Sequence, residues 1–292
     1  MKKNESKSLL MISASMVIWG SVGIFRRFIP LPSAVLACSR GVIGTIFLIL
    51  LVKLQQKQLF HHIGRKTIGL LILSGAVMGV NWILLFEAYN YTSVAAATLC
   101  YYMAPTIVVL LSPLLFREKI TLRKGICAVL AVVGMVFVSG IIESGIPSVS
   151  EFKGILFGLG AAVLYASVVI LNKLLPGIDP FEKTIIQLAS SAAVLFPYIL
   201  LSGQTVPKNI SSLTIVMVLI VGLLHTGIAY AMYFGSVDNL RAQTVALLSY
   251  LDPITALILS ALILGEKMTV FGIIGAVLII GAAVVSEMDT ND

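Results

Sequence analysis

Apolar residues run through this chain in stretches as long as a bilayer is thick, separated by short polar segments. Ten runs stand out, at 8–29, 34–52, 67–89, 93–116, 125–142, 152–174, 181–201, 212–234, 243–264 and 270–286. A helix rises 1.5 Å per residue, so about 20 residues cross a hydrocarbon core of about 30 Å. Outer-membrane strands would be about 10 residues long and would alternate polar with apolar, which these runs do not. The pattern predicts an all-α membrane protein with ten transmembrane helices.

One stretch of this pattern occurs twice. Residues 93–121 and 241–269 align without a gap, pairing Leu99 with Leu247, Tyr102 with Tyr250, Pro105 with Pro253, Ser112 with Ser260, Glu118 with Glu266, Lys119 with Lys267 and Thr121 with Thr269. Leucine pairs arise by chance in an apolar chain; the Pro, Tyr, Ser and Glu-Lys-x-Thr pairs do not. Trp19 with Tyr165, Arg27 with Lys173 and Pro30 with Pro176 extend the repeat into the first helix of each half. The expected organisation is two five-helix repeats, 1–147 and 148–292. Five is odd, so the second repeat is expected to be inverted in the membrane.

Composition and charge then narrow the class. The chain has 292 residues, 59% of them hydrophobic and 11% charged, and a mean hydropathy of +1.04; a soluble domain carries about 25% charged residues. Fourteen Lys and Arg fall on the side of the N-terminus and five on the other, which predicts cytoplasmic termini at both ends and a place in the cytoplasmic (inner) membrane. The net charge of +7 is then mostly topogenic, and no nucleic-acid partner is expected. Lys2, Lys3 and Lys7 precede an apolar run too long for a signal peptide, read as a retained first helix. Cys38, Cys100 and Cys127 lie inside apolar runs at no metal-ligand spacing and read as buried thiols. With no phosphate-binding loop, no nucleophile and base, and no metal set, neither cofactor nor enzymatic activity is expected.

The candidate chemistry is intramembrane. Trp19, Asn81, Trp82, Tyr101, Tyr165, His225, Tyr230 and Tyr250 lie in the middle of their helices, a set that suits a small solute with an apolar body and a polar head. Arg40 sits about 9 Å below the outer end of its helix, where a lone cation needs an acceptor or a wet cavity. Two readings stand: an ion pair with Glu87 at similar depth, or an anion-binding site. His225 is either a satisfied buried imidazole or a proton carrier. Pro105 and Pro253 each free a carbonyl about four residues earlier and predict bends at equivalent depths. Arg27 and Lys173 either snorkel to headgroups or guard the two mouths of a pathway. Asp252 falls about 14 Å deep, where an isolated carboxylate is costly; it is either the proton-coupling group or a carboxyl that only hydrogen-bonds to the broken helix and fixes its shape.

Ten helices in two halves, Trp19-Gly20, and the stretch from Pro105 to Glu118-Lys119-x-Thr121 with its copy from Asp252-Pro253 to Glu266-Lys267-x-Thr269 together resemble the EamA family of the drug/metabolite transporter superfamily. The resemblance covers about residues 8–286. It implies secondary transport, often export, of a small metabolite through a cavity walled by the first, third, fourth, sixth, eighth and ninth helices, and it implies no particular substrate. Ala104 departs from the pattern, standing where the second half has Asp252. The expected function is secondary active transport of a small amphipathic, amino-acid-like solute by alternating access, coupled to protons. A quaternary amine or drug-like cation is the alternative substrate, and a non-transporting structural or enzymatic membrane protein the alternative of another class.

Overall fold

All regular structure among the described residues is helical. The computed structural model describes residues 2–56, 63–116, 121–139, 142, 147–175, 177–204, 206–207, 209–236, 239–240 and 242–287. Glu118, Lys119 and Pro176, on which part of the repeat rests, lie outside them. The helices group into ten: α1 (Lys2–Gly20 and Val22–Arg27), α2 (Ser33–Leu54), α3 (Arg65–Tyr91), α4 (Val94–Tyr101 and Ala104–Phe116), α5 (Leu122–Val138), α6 (Val149–Lys173), α7 (Pro180–Leu201), α8 (Ser212–Gly222, a π turn Leu223–Ile228, and Ala229–Phe234), α9 (Ala242–Ser249 and Leu251–Ile263) and α10 (Val270–Glu287). Each falls on one of the apolar runs. Among the described residues, seven spans are long and apolar enough to cross a membrane, and parts of α9 and α10 are shorter apolar helices.

Short polar side chains set the helix starts by accepting hydrogen bonds from the first free backbone N–H groups. Ser93 caps α4, Thr121 caps α5, Ser148 opens α6 in a capping box with Glu151, Asp179 caps α7 and Ser211 caps α8. The proline bends fall where the missing N–H places them. α4 is interrupted at Tyr102 and Met103, just ahead of Pro105, and α9 at Tyr250, just ahead of Pro253. Two interruptions carry no proline. α1 breaks at Ser21, whose hydroxyl donates to Ile18 O at 2.7 Å, and α8 loosens into its π turn, where the Thr226 hydroxyl donates to Val221 O at 3.1 Å. Side-chain hydroxyls that compete for helical carbonyls bend helices in this way.

α3 packs along α6 and α7; α2 along α7 and α8; α1 along α8 and α9; α4 against α6 and α9. α5 and α10 form a separate pair, meeting glycine to glycine: a Cβ on Gly275 would stand 2.5 Å from Gly134 O. Small residues at such crossings let backbones approach. Gly275→Leu is expected to destabilise the protein by about 1–3 kcal/mol through overpacking, read as a lower Tm in detergent. Gly281→Ala on the same helix, where an added Cβ meets nothing within 4 Å, should leave Tm unchanged.

Candidate functional site

The four interrupted helices, α1, α4, α8 and α9, bring their breaks together in the middle of the bundle. Trp19, beside the α1 break, donates from Nε1 to His225 O in the π turn at 2.9 Å. Ser21 Oγ lies 2.9 Å from His225 Nε2, His225 Nδ1 lies 3.5 Å from Ile220 O, and the Phe25 ring stands edge-on at 4.8 Å. His225 is thus fully buried and partnered on both ring nitrogens. The Trp19 ring meets Tyr230 at 5.1 Å and Tyr233 at 5.4 Å. Trp19, His225 and Tyr230 form one cluster.

Arg40 enters from α2, 5% exposed. Its Nε donates to Thr226 Oγ1 at 3.0 Å, and its guanidinium carbon lies 4.1 Å over the Trp82 ring and 5.7 Å from the Phe86 ring. The ion pair with Glu87 does not form. Glu87 accepts from Asn90 at 3.3 Å instead, and Arg27 pairs with Glu266 at 3.1 Å. Asn81 is buried and donates to Ala161 O at 2.5 Å, so its amide ties α3 to α6.

On the α4 and α9 side, Tyr101 packs on Tyr165 at 5.2 Å and Tyr102 at 6.1 Å. Tyr165 keeps 40% of its surface open, whereas Tyr250 is buried. The Tyr102 hydroxyl sits between Ser249 O, 3.4 Å away, and the Asp252 carboxyl. Ser249 O is the carbonyl that Pro253 deprives of its helical donor. α1 lies directly against this break, since a Cβ on Gly20 would run into the backbone oxygen of Asp252. Arg40 and Asp252 do not pair with each other; Tyr101 and Tyr89 lie within the electrostatic reach of both.

The two ends of the bundle differ. At the Lys7 end a cavity of about 510 Å³ opens between α1, α2, α7 and α8, lined by Lys7, Met11, Phe47, Gln55, Phe181 and Ile228 among others. At the Arg27 end, Glu266 joins three helices. Its carboxylate accepts from Val94 N at 2.9 and 3.1 Å, from Ala95 N at 3.4 Å, from Arg27 at 3.1 Å and from the Ser260 hydroxyl. Arg27 also donates to Thr92 O at 2.7 Å. Gly265, at φ +65°, lets the chain reverse after α9 so that Glu266 points back to the mouth. A second hollow of about 510 Å³, lined by Arg26, Arg27, Pro30, Asn90 and Pro207, lies over the α1–α2 turn beside this junction.

Sequence reasoning missed Glu266, Thr226, Ser21, Tyr102 and Tyr89 as members of the site. The doubled Glu-Lys-x-Thr motif was the available signal for Glu266. The same duplicated stretch pairs Tyr102 with Tyr250; for Thr226, Ser21 and Tyr89 only the fold supplies one.

Apolar helices broken around a polar and aromatic centre, with a cavity at one end and a hydrogen-bonded junction at the other, are the build of a multi-pass membrane transporter. Comparison with known families agrees: the EamA-like transporter family matches residues 6–140 and again 152–288, and the chain belongs to that family. It is similar to the uncharacterized transporter YxxF of Bacillus subtilis, 28% identical over 279 residues that cover 95% of this chain and 88% of that protein. It is also similar to the protein RarD of Salmonella typhi, 23% identical and covering 95% of each chain. A crystal structure with 17% identity, covering 96% of both chains at a TM-score of 0.65, shares the fold. The family and these relatives mark a transporter rather than an enzyme.

Trp19→Ala and Tyr101→Ala, in folded protein, are expected to weaken binding of a transported solute about tenfold or more, since each opens one wall of the centre. Asn81→Ala should instead lower stability by about 1 kcal/mol with affinity kept. Ligand titration and thermal melts of the three variants check this; unchanged affinity in the first two refutes the assignment.

Proposed function

We propose that this protein is a secondary active transporter that exports a small amphipathic metabolite across the cytoplasmic membrane by alternating access, with both termini cytoplasmic. The observation that carries the reading is the difference between the two ends: at the Arg27 end Glu266 ties α1, α4 and α9 together beside the hollow over the α1–α2 turn, while at the opposite end a cavity runs in between α1, α2, α7 and α8. The excess of Lys and Arg at the open end supports its being cytoplasmic.

The reading includes two inverted repeats. Shifting every helix by five turns the packing pair α3–α6 into α8–α1, α3–α7 into α8–α2 and α4–α6 into α9–α1, and each of these pairs is present. α2–α7, α4–α9 and α5–α10 map onto themselves. Such a pseudo-symmetric bundle has a second arrangement in which the two halves exchange roles, so that the open end closes and the joined end opens.

Release of Glu266 is the step that opens the outer mouth. With spin labels at Phe28 and Lys267, both exposed, the wild type is expected to show mainly a short distance. Arg27→Gln and Glu266→Ala should both add a longer one, with Glu266→Ala shifting the larger share because it also removes the cap on Val94. An unchanged distance distribution in both folded variants would count against the latch.

Asp252 is the group proposed to couple the cycle to protons. It lies at the α9 break, beside Tyr102 and against α1, where a change of its charge acts on the helix that has lost its ladder. Asp252→Asn keeps the size but releases no proton. It is expected to bind and exchange solute in proteoliposomes yet fail to accumulate it under an imposed pH difference; wild-type-like accumulation would refute the coupling role. Flux of no solute at all, with folded protein, would favour a non-transporting role.

A further inference from the structure

Arg40 carries five N–H donors in a planar fork, and the protein uses one. Nε donates to Thr226 Oγ1; Nη1 and Nη2 donate to no described atom, yet neither belongs to the buried polar atoms left without a partner. The side chain is therefore enclosed by protein while its two terminal nitrogens keep some accessible surface and no described hydrogen-bond partner. Trp82 stacks on the flat face of the guanidinium, which eases its charge and leaves the edge of the fork free. A buried cation with no carboxylate at ion-pair distance calls for an anion.

We propose that Arg40 is an anion subsite and that the transported solute carries a single negative head group, a carboxylate being the best match to the guanidinium edge. This rests on the transporter reading above. The apolar body of the solute lies against the ring surfaces beside Arg40, those of Trp82, Tyr101 and Tyr230. Arg40 is one cation, so a single negative head matches its charge, and Asp252 lies within the electrostatic reach of the Tyr101 and Tyr89 that neighbour Arg40. The same arrangement works against a quaternary amine, which would bring a second cation into an aromatic enclosure that already holds the guanidinium. A free amino group on the solute faces Asp252 and is accommodated without being required.

The test uses the purified full chain and matched solutes that differ only in the head: 3-phenylpropionate, its amide, phenylalanine and 2-phenylethylamine, with an aliphatic set of the same design. Binding is read by tryptophan fluorescence, with Trp82→Phe identifying the signal, and by thermal shift. Both acids should bind at least about tenfold more tightly than the amide and the amine. Arg40→Lys should keep the preference with lower affinity, and Arg40→Gln should abolish it. Thr226→Val, which leaves the charge and removes the Nε acceptor, should reduce the preference if Arg40→Gln does not fold. Amine or amide binding as tight as the acids, retention of the preference by Arg40→Gln, or no acid binding at all in the wild type overturns the subsite. Counterflow in proteoliposomes separates the two readings: flux of amines or neutral solutes without acids sinks the anion subsite and leaves the transporter, while no flux of any solute counts against the transporter itself.

Discussion

A backbone carbonyl that loses its helical donor inside hydrocarbon has no water to turn to and must find a partner within the protein. That constraint organises this molecule. Four helices are interrupted at mid-depth, and the interruptions of α1, α8 and α9 are each met by a side chain of the same or another helix. Trp19 of α1 donates to the π turn of α8, and Tyr102 of α4 approaches the carbonyl that Pro253 orphans in α9. The polar centre of the bundle is thus first a set of repairs to broken helices. Because repairs need polar and aromatic side chains gathered in one place, the same residues line a site where a solute can be held.

The α5–α10 pair stands apart from this arrangement. Its helices carry no interruption and pack through glycines. The interrupted helices α1, α4, α8 and α9 carry the aromatic groups, Asp252 and the Glu266 junction, while α2 and α3 supply Arg40 and Trp82. The cavity at the Lys7 end is bounded by two interrupted helices, α1 and α8, and by the uninterrupted α2 and α7.

Much of the fold was legible in the sequence, because a bilayer demands long apolar runs and a proline removes an N–H wherever it sits. The ten runs became ten helices, and the bends fell beside Pro105 and Pro253. Depth along a helix was readable; rotation about its axis was not. Arg40 and Glu87 share a depth, yet the helices turn them apart, and Arg40 faces Trp82 and Thr226 instead. Asn81 reads as a binding group by its depth and is turned into the α3–α6 seam. The π turn and the Ser21 break depend on hydroxyl–carbonyl contacts that any serine or threonine in a helix can make or forgo. The junction at Glu266 was least legible, since it caps a helix 172 residues away in sequence, and only the assembled bundle brings that helix start within reach.

The junction has a consequence for how the mouth can move. One carboxylate serves donors on α1, α4 and α9 at once, so these bonds do not break independently. Rotating Glu266 away strands two backbone N–H groups, a hydroxyl and a guanidinium together, and leaving only some of them satisfied stabilises no intermediate geometry. In the proposed alternating-access cycle the barrier would therefore sit in a single side-chain rotation, and the mouth would act as a switch with two settings rather than a valve that opens by degrees.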